Sequence, residues 1–496
     1  MLTMLRSPWG ATKCVGAILA TTHLLWAQPA LAQPPSYDPA PWLADLDQTR
    51  DALTTKYANL EWVALTQQVN LEDVYDAAAK RLRAAHSDAE AEHIFDLMLA
   101  KLGDGHVEID WPKPQALKAA GDRLICDDQG YNAGPAAPSF LENAPDFHAL
   151  PVGDTPEFPA GIITVGRRKI GVLRIGMFGP QMAPALCQAA LTALHLSPVA
   201  PCDDACSDRI DLWTEERLSA DLAGRIRALK TAGAQVLLID VSGNGGGTQW
   251  VEQAARIIAG DGIVSERLGY VRGEHWATKW ARWASDLRYA AKTADAKDAK
   301  RLNAWAAEID AKQAEARKPC DGAPLWRGNP AACPWVADGF FATGLLGVDD
   351  ASIRGKPWAS EVFSPAEAPY EAGVWKGPLI VLIDQDSWSA TEEFAAELQD
   401  NRAALIIGTP SGGAGCGHTD GGTPVTLSHS GGVLKLPDCV RLRRDGSNEV
   451  GGVQPDLLIG LRKVDGPAVK AKRVLAALPA VVKAVATRPT DRGVAR

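Results

Sequence analysis

The chain has 496 residues, a formal net charge of −9 and a pI near 5.6, long enough for two or three domains and a large core. The acidic balance argues against a nucleic-acid partner, which selects a basic face. The basic groupings are scattered, as in "RLRRDG" at 441–446, and the tail "TRPTDRGVAR" reads as a solvated end.

At the N-terminus Arg6 and Lys13 precede the apolar stretch "CVGAILATTHLLWA", and "ALA" at 30–32 precedes Gln33. Together they read as a secretory signal over 1–32, with a mature chain starting near Gln33 in the periplasm or outside the cell. The apolar stretch is short for a membrane span, and no later segment is apolar enough to cross a bilayer. Of the nine cysteines, eight follow the signal. An even number in an exported chain predicts disulfides. Cys202 and Cys206 have no second pair at metal-ligand spacing, so neither zinc nor any other metal or cofactor is expected.

Three helical stretches, 41–58, 71–85 and 88–102, predict an N-terminal helical domain over 33–115. Residues 116–165 read as a linker or small irregular subdomain, because 127–165 is rich in Pro, Gly and Asp without a period. From 166 to 480 strands alternate with helices: "KIGVLRIGMF", the stripe Leu218, Leu222, Ile226 and Leu229, then "QVLLIDV", "QWVEQAARIIAG", "GPLIVLID" and "ALIIG". That alternation predicts an α/β domain around a largely buried sheet. Residues 274–318 interrupt it. Trp276, Trp280, Trp283 and Leu287 share one helical face, as do Leu302, Trp305 and Ile309, which predicts an inserted helical pair. Packing between those helices accounts for the tryptophan stripe better than a substrate platform does. Residues 481–496 form a tail.

The stretch "DSWSATEE" places Ser389 where a buried strand turns into the helix "ATEEFAAELQD". Ser389 with Glu392 matches a capping box. The same turn also puts a hydroxyl beside unpaired N–H groups and the positive end of a helix dipole, where an oxyanion is stabilised. "IDVSGNGGGTQW" (239–250) ends another strand in four glycines. It lacks the Gly-Lys-Ser/Thr of a phosphate loop, and Thr248 replaces the last glycine of a dinucleotide fingerprint. A tight turn or an oxyanion-binding loop remains. His106 in "LGDGHVEI" and Glu449 in "SNEVGGVQPDLLI" each fit a structural role as well as a chemical one when taken singly.

Taken in order, "LLIDVSGNGGG", "LIVLIDQDSWSATEEFAAELQDNRAALIIG", "GVLKLPDCVRL" and "GGVQPDLLI" resemble the C-terminal-processing (tail-specific) serine peptidases, over about 165–270 and 320–465. The resemblance implies a crotonase-like α/β peptidase core. It makes Ser389, not Ser387, the nucleophile, with an oxyanion hole from the Ala390 N–H and one from Gly245 or Gly246. The lysine that the best-known members pair with the serine is missing: Ala414 in "SGGAGCG" stands in its place, and Lys435 belongs to a different stretch. A tricorn-like branch uses instead a histidine from an N-terminal segment and a glutamate near "Gly-Val-x-Pro-Asp". By that resemblance His106 is the base and Glu449 orients it. No PDZ domain is recognisable before residue 169. Cys416 with Cys439, which bracket segments the family places near the nucleophile, is the first expected disulfide, and Cys320 with Cys333 the second. The implied function is an exported serine endopeptidase acting on proteins or peptides. An inactive peptide-binding relative and a non-peptidic acyl hydrolase are the alternatives.

Overall fold

A computed structural model describes residues 37–113, 124–131, 137–152, 157–199 and 201–487; the signal segment 1–32 lies outside these. Helices α1 (Pro39–Lys56), α2 (Leu71–Ala84) and α3 (Asp88–Leu99) begin where Asp38, Asn70 and Ser87 accept first-turn N–H groups of Ala40, Asp73 and Glu90, as N-cap chemistry requires. A short turn and Gly103 then deliver the chain to β1 (Glu108–Asp110). Strand β1 pairs antiparallel with β11 (Val433–Lys435), itself paired with β10 (Val425–Thr426). The helical core includes Leu427, Leu434, Leu436 and Val440 from the far end of the sequence. Residues near 106 are thereby carried to those near 414.

Between these helices and the main sheet lies the short α4 (Ile125–Asp128), joined to α5 (Pro184–Ala193) by the Cys126–Cys187 disulfide. The seven-stranded sheet has the order β13-β9-β8-β5-β4-β3-β2. It comprises β2 (His148–Ala149), β3 (Ala160–Val165), β4 (Arg168–Arg174), β5 (Val236–Asp240), β8 (Leu379–Ile383), β9 (Leu405–Gly408) and β13 (Leu457–Leu458). From β4 to β13 every neighbouring pair is parallel; β2, β3 and β4 are antiparallel. Residues 116–165, expected as a linker or small irregular subdomain, contribute two strands to this sheet. "AGIITV" forms β3 because Ala160–Ile163 are buried against the sheet, a run that the surrounding Pro and Gly concealed.

Both faces of the sheet are covered, which is why its strands read as unbroken apolar runs. Leu237, Ile239 and Val381 pack with α6 (Asp204–Thr231), α7 (Trp250–Ala259) and α10 (Ala390–Asp400). Their neighbours Val236, Leu238 and Ile380 pack with α11 (Pro467–Thr487), which runs past the expected domain end at 480. The predicted stripe Leu218, Leu222, Ile226 and Leu229 is fully buried on α6.

A smaller sheet, β12-β6-β7, joins β6 (Arg267–Val271), β7 (Val336–Phe341) and β12 (Cys439–Leu442). Between β6 and β7 stand α8 (Glu274–Ala291) and α9 (Ala296–Ala316), the inserted helical pair. Cys202–Cys206, Cys320–Cys333 and Cys416–Cys439 are disulfides, so all eight cysteines among the described residues are paired. Among the described residues no helix is long and apolar enough to cross a membrane.

Candidate active site

Ser389 occupies the junction of β8 and α10 with φ +56° and ψ −119°, a region that a residue with a Cβ adopts only when its surroundings impose it. Ser387, two residues earlier, is fully buried; its Oγ donates to the Val241 carbonyl and accepts the Asp384 N–H, each at 3.0 Å. It braces the turn and faces no cavity. Of the expected capping box between Ser389 and Glu392, the glutamate half is made. The Ser389 N–H donates to Glu392 Oε2 (3.0 Å), while the Glu392 N–H goes to the Ser389 carbonyl (2.9 Å) and the serine side chain makes no cap hydrogen bond.

The glycine loop after β5 lies against this serine. A Cβ at Gly246, where φ is +114°, would sit 2.8 Å from Ser389 Cβ and 3.0 Å from the Trp388 carbonyl. Asn244 ties the loop down. Its Oδ1 accepts the Gly246 N–H (2.9 Å), its Nδ2 donates to Ile175 (3.1 Å), and its carbonyl accepts the Trp388 N–H (3.0 Å). The Gly246 N–H is thus already engaged. Gly245 is exposed, and Gly247 lines the same cavity as Ala390. We expect Gly246→Ala to displace the nucleophile and lower kcat by roughly a hundredfold, the scale of a 1 Å misplacement; steady-state kinetics on folded protein would show it.

His106 reaches this region through its backbone neighbours. The Gly105 N–H donates to the Gly413 carbonyl (3.2 Å), and a Cβ at Gly105 would lie 3.2 Å from the Trp388 ring. His106 Nδ1 lies 2.7 Å from the Ala414 carbonyl. One carboxylate links this loop to the serine: Glu392 Oε2 accepts the N–H groups of Ser389 (3.0 Å) and Ala414 (2.8 Å), and Oε1 accepts the Ser411 hydroxyl (2.6 Å) and the Gly413 N–H (2.8 Å). A hydrogen-bonded path therefore runs from Ser389 through Glu392 and Ala414 to His106. No hydrogen bond joins the serine hydroxyl to the imidazole directly. On its other side the His106 N–H donates to Asp104 Oδ1 (3.0 Å), whose Oδ2 accepts from Tyr57 (2.9 Å) and Asn59 (2.8 Å).

Glu449 is placed differently from the sequence expectation. No hydrogen bond or ion pair joins it to His106, because both its oxygens are taken by Arg441, through Nε and through Nη2 (3.0 Å). Its turn is nevertheless tied to that of His106, since Asn448 donates to Asn59 at 2.7 Å. Arg441 is 5% exposed. Beyond Glu449 it binds Glu393 (2.7 Å) and donates to the carbonyls of Ser389 (3.0 Å) and Gly415 (2.8 Å). Nothing in "RLRRDG" distinguishes this arginine from its neighbours.

A second histidine escaped the sequence reading. The His418 ring packs edge-on against His106, centroids 5.7 Å apart, and lines the cavity. Burial, and then His106, hold its imidazole below the usual histidine value, so it is neutral near pH 7.

The carboxylates behind Arg441 are strained by burial. Desolvation pushes Glu393 up to about 8 and raises Glu266 well above the usual range, Arg441 opposing both. Glu215, buried near Glu367, rises to about 7. A carboxyl raised on folding binds more protons in the native than in the unfolded state. Its stabilisation is full below the unfolded value and is lost as pH rises through the folded one. The lowered carboxyls, such as Glu315 and Asp350 at about 2, contribute a constant amount above about pH 5. The thermal midpoint should therefore fall between pH 5.5 and pH 9; a midpoint rising over that range would contradict these assignments.

A cavity of about 530 Å³ opens at Ser389 and Ala390, walled opposite by Trp276, Trp280, Trp283 and Phe340. The tryptophan stripe packs between elements as expected, Trp276 and Trp280 each 1% exposed, and its tryptophans also line the cavity that Ser389 lines.

The chain matches one family model and resembles several solved structures. The family model Peptidase family S41 matches residues 209–459, just over half of the chain. Among solved structures, mature CPAF complexed with lactacystin is 14% identical, with 90% of this chain and 99% of that one covered and a TM-score of 0.56. Mature CPAF alone gives 14%, 92%, 99% and 0.56. The photosystem II D1 C-terminal processing protease gives 12% identity, coverage of 87% and 96%, and a TM-score of 0.31. With a matched segment that carries both the glycine loop and the serine turn, the chain belongs to peptidase family S41 and is a serine-type peptidase.

Proposed function

We propose that the chain is an exported endopeptidase that cleaves proteins or peptides through an acyl-enzyme on Ser389, with His106 as the base. The observation that carries this reading is the path Ser389–Glu392–Ala414–His106, which couples nucleophile and base through one buried carboxylate. With Nδ1–H donated to the Ala414 carbonyl, Nε2 is left as the acceptor for the serine proton. Such contacts commonly close only when substrate binds. As Ser389 Oγ attacks the peptide carbonyl, His106 takes its proton. The oxyanion faces the Ala390 N–H at the start of α10 and an N–H of the Gly245–Gly247 loop. His106 then protonates the departing amine, and water repeats the sequence to release the acyl group.

Glu449 supports this machinery through Arg441, which holds the Ser389 carbonyl. Neutral His418 adds no positive charge beside the imidazolium that forms. Export is supported by the pairing of all eight cysteines beyond the signal-like segment, since disulfides persist in oxidising compartments.

An activated ester should give a burst of about one equivalent per chain, followed by slow turnover, as acyl-enzymes do, and a denatured protein substrate should be cleaved internally. Ester turnover without any peptide cleavage would make the protein an acyl hydrolase; peptide binding with neither activity would make it a binding protein.

A further inference from the structure

Resting on the peptidase reading above, we propose that the cavity beside Ser389 selects a large apolar side chain, aromatic above all, on the acyl side of the scissile bond. Four rings in mutual contact form its far wall. Trp276 and Trp280 have centroids 5.0 Å apart, Trp280 stacks on Trp283 at 5.7 Å, and Phe340 meets Trp280 and Trp283 edge-on at 5.8 and 5.6 Å. Trp276 and Trp280 are buried, whereas Trp283 and Phe340 are partly exposed and give the wall most of its accessible surface.

Several polar groups around these rings are already engaged, although the Trp280 indole N–H is buried without a partner. Trp276 Nε1 donates to the Asp438 carbonyl (3.0 Å) and Trp283 Nε1 to that of Glu361 (2.6 Å). Lys279 and Arg282 both bind Asp420, at 3.0 and 2.8 Å. A charged side chain entering here would lose its water for few partners, while an aromatic ring would gain edge-to-face and stacked contacts. The acyl side follows from connectivity: the Cα bearing that side chain is bonded to the carbonyl carbon that Ser389 attacks, and Ser389 itself lines the cavity.

The test uses peptidyl diphenyl phosphonates bearing Phe, Leu, Ala, Lys or Asp next to phosphorus. The serine oxygen forms a bond to phosphorus, phenoxide leaves, and the serine proton passes to the base. Phe should inactivate at least about tenfold faster than Ala, the scale of apolar pocket discrimination, with Lys and Asp slowest. Phe340→Ala and Trp283→Ala, on different elements, should bring the Phe-to-Ala ratio towards one. This ratio, read within one preparation, does not depend on the fraction folded. Ala reacting as fast as Phe, or a ratio unchanged in both variants, would overturn the assignment. A small alkyl fluorophosphonate separates the two readings: if it fails to label Ser389, the mechanism fails; if it labels Ser389 while the peptide probes show no selectivity, only the cavity assignment fails.

Discussion

Ser389→Ala and His106→Ala are each expected to lower kcat on the order of 10⁶-fold, and the double variant to lose no more than either alone. Members of a nucleophile–base unit act together, so removing one removes the work of both. The residual rate would come from substrate binding and the oxyanion donors, which neither substitution touches. Glu449→Gln should cost far less than either, because its carboxylate meets Arg441 and not the imidazole. A folded His106→Ala enzyme retaining near wild-type turnover would remove the histidine from the mechanism. No lysine stands at position 414 to take its place.

Arg441→Met is expected to be the most damaging substitution for stability. The guanidinium binds Glu449 and Glu393 and lies 3.7 Å from Glu266. Removing it leaves buried carboxylates without their closest cation, which typically costs about 3 to 5 kcal/mol. The loss should be larger at pH 8 than at pH 5.5, because protons can neutralise the stranded carboxylates at the lower pH. Activity should fall as well, since Arg441 also holds the carbonyl of Ser389. Denaturant midpoints at the two pH values, with the disulfides intact, would measure this. A loss equal at both would mean that the arginine acts by packing alone.

The legible parts of this molecule were those whose physics is local. Helical periodicity placed α8 and α9, buried apolar runs placed β5, β8 and β9, and the ordered motifs brought the glycine loop beside Ser389. The less legible parts depend on contacts far apart in sequence. Glu392 reads as the partner in a cap, and it does take the Ser389 N–H, but its other bonds go to residues 411–415. Arg441 looks like one more surface arginine until β12 carries it under the serine turn. The segment "AGIITV" was obscured by its flanks. The role expected of Glu449 towards His106 assumed direct contact, whereas a buried arginine is the stronger bidentate partner for a carboxylate.

The central claim is that Ser389 is a nucleophile activated at this site, and fluorophosphonate labelling of the folded chain, located by peptide mass spectrometry, tests it most directly. The account predicts one label per chain on the peptide containing Ser389, lost in Ser389→Ala and strongly slowed in His106→Ala. A folded chain that takes no label, or takes it on another serine, would contradict it.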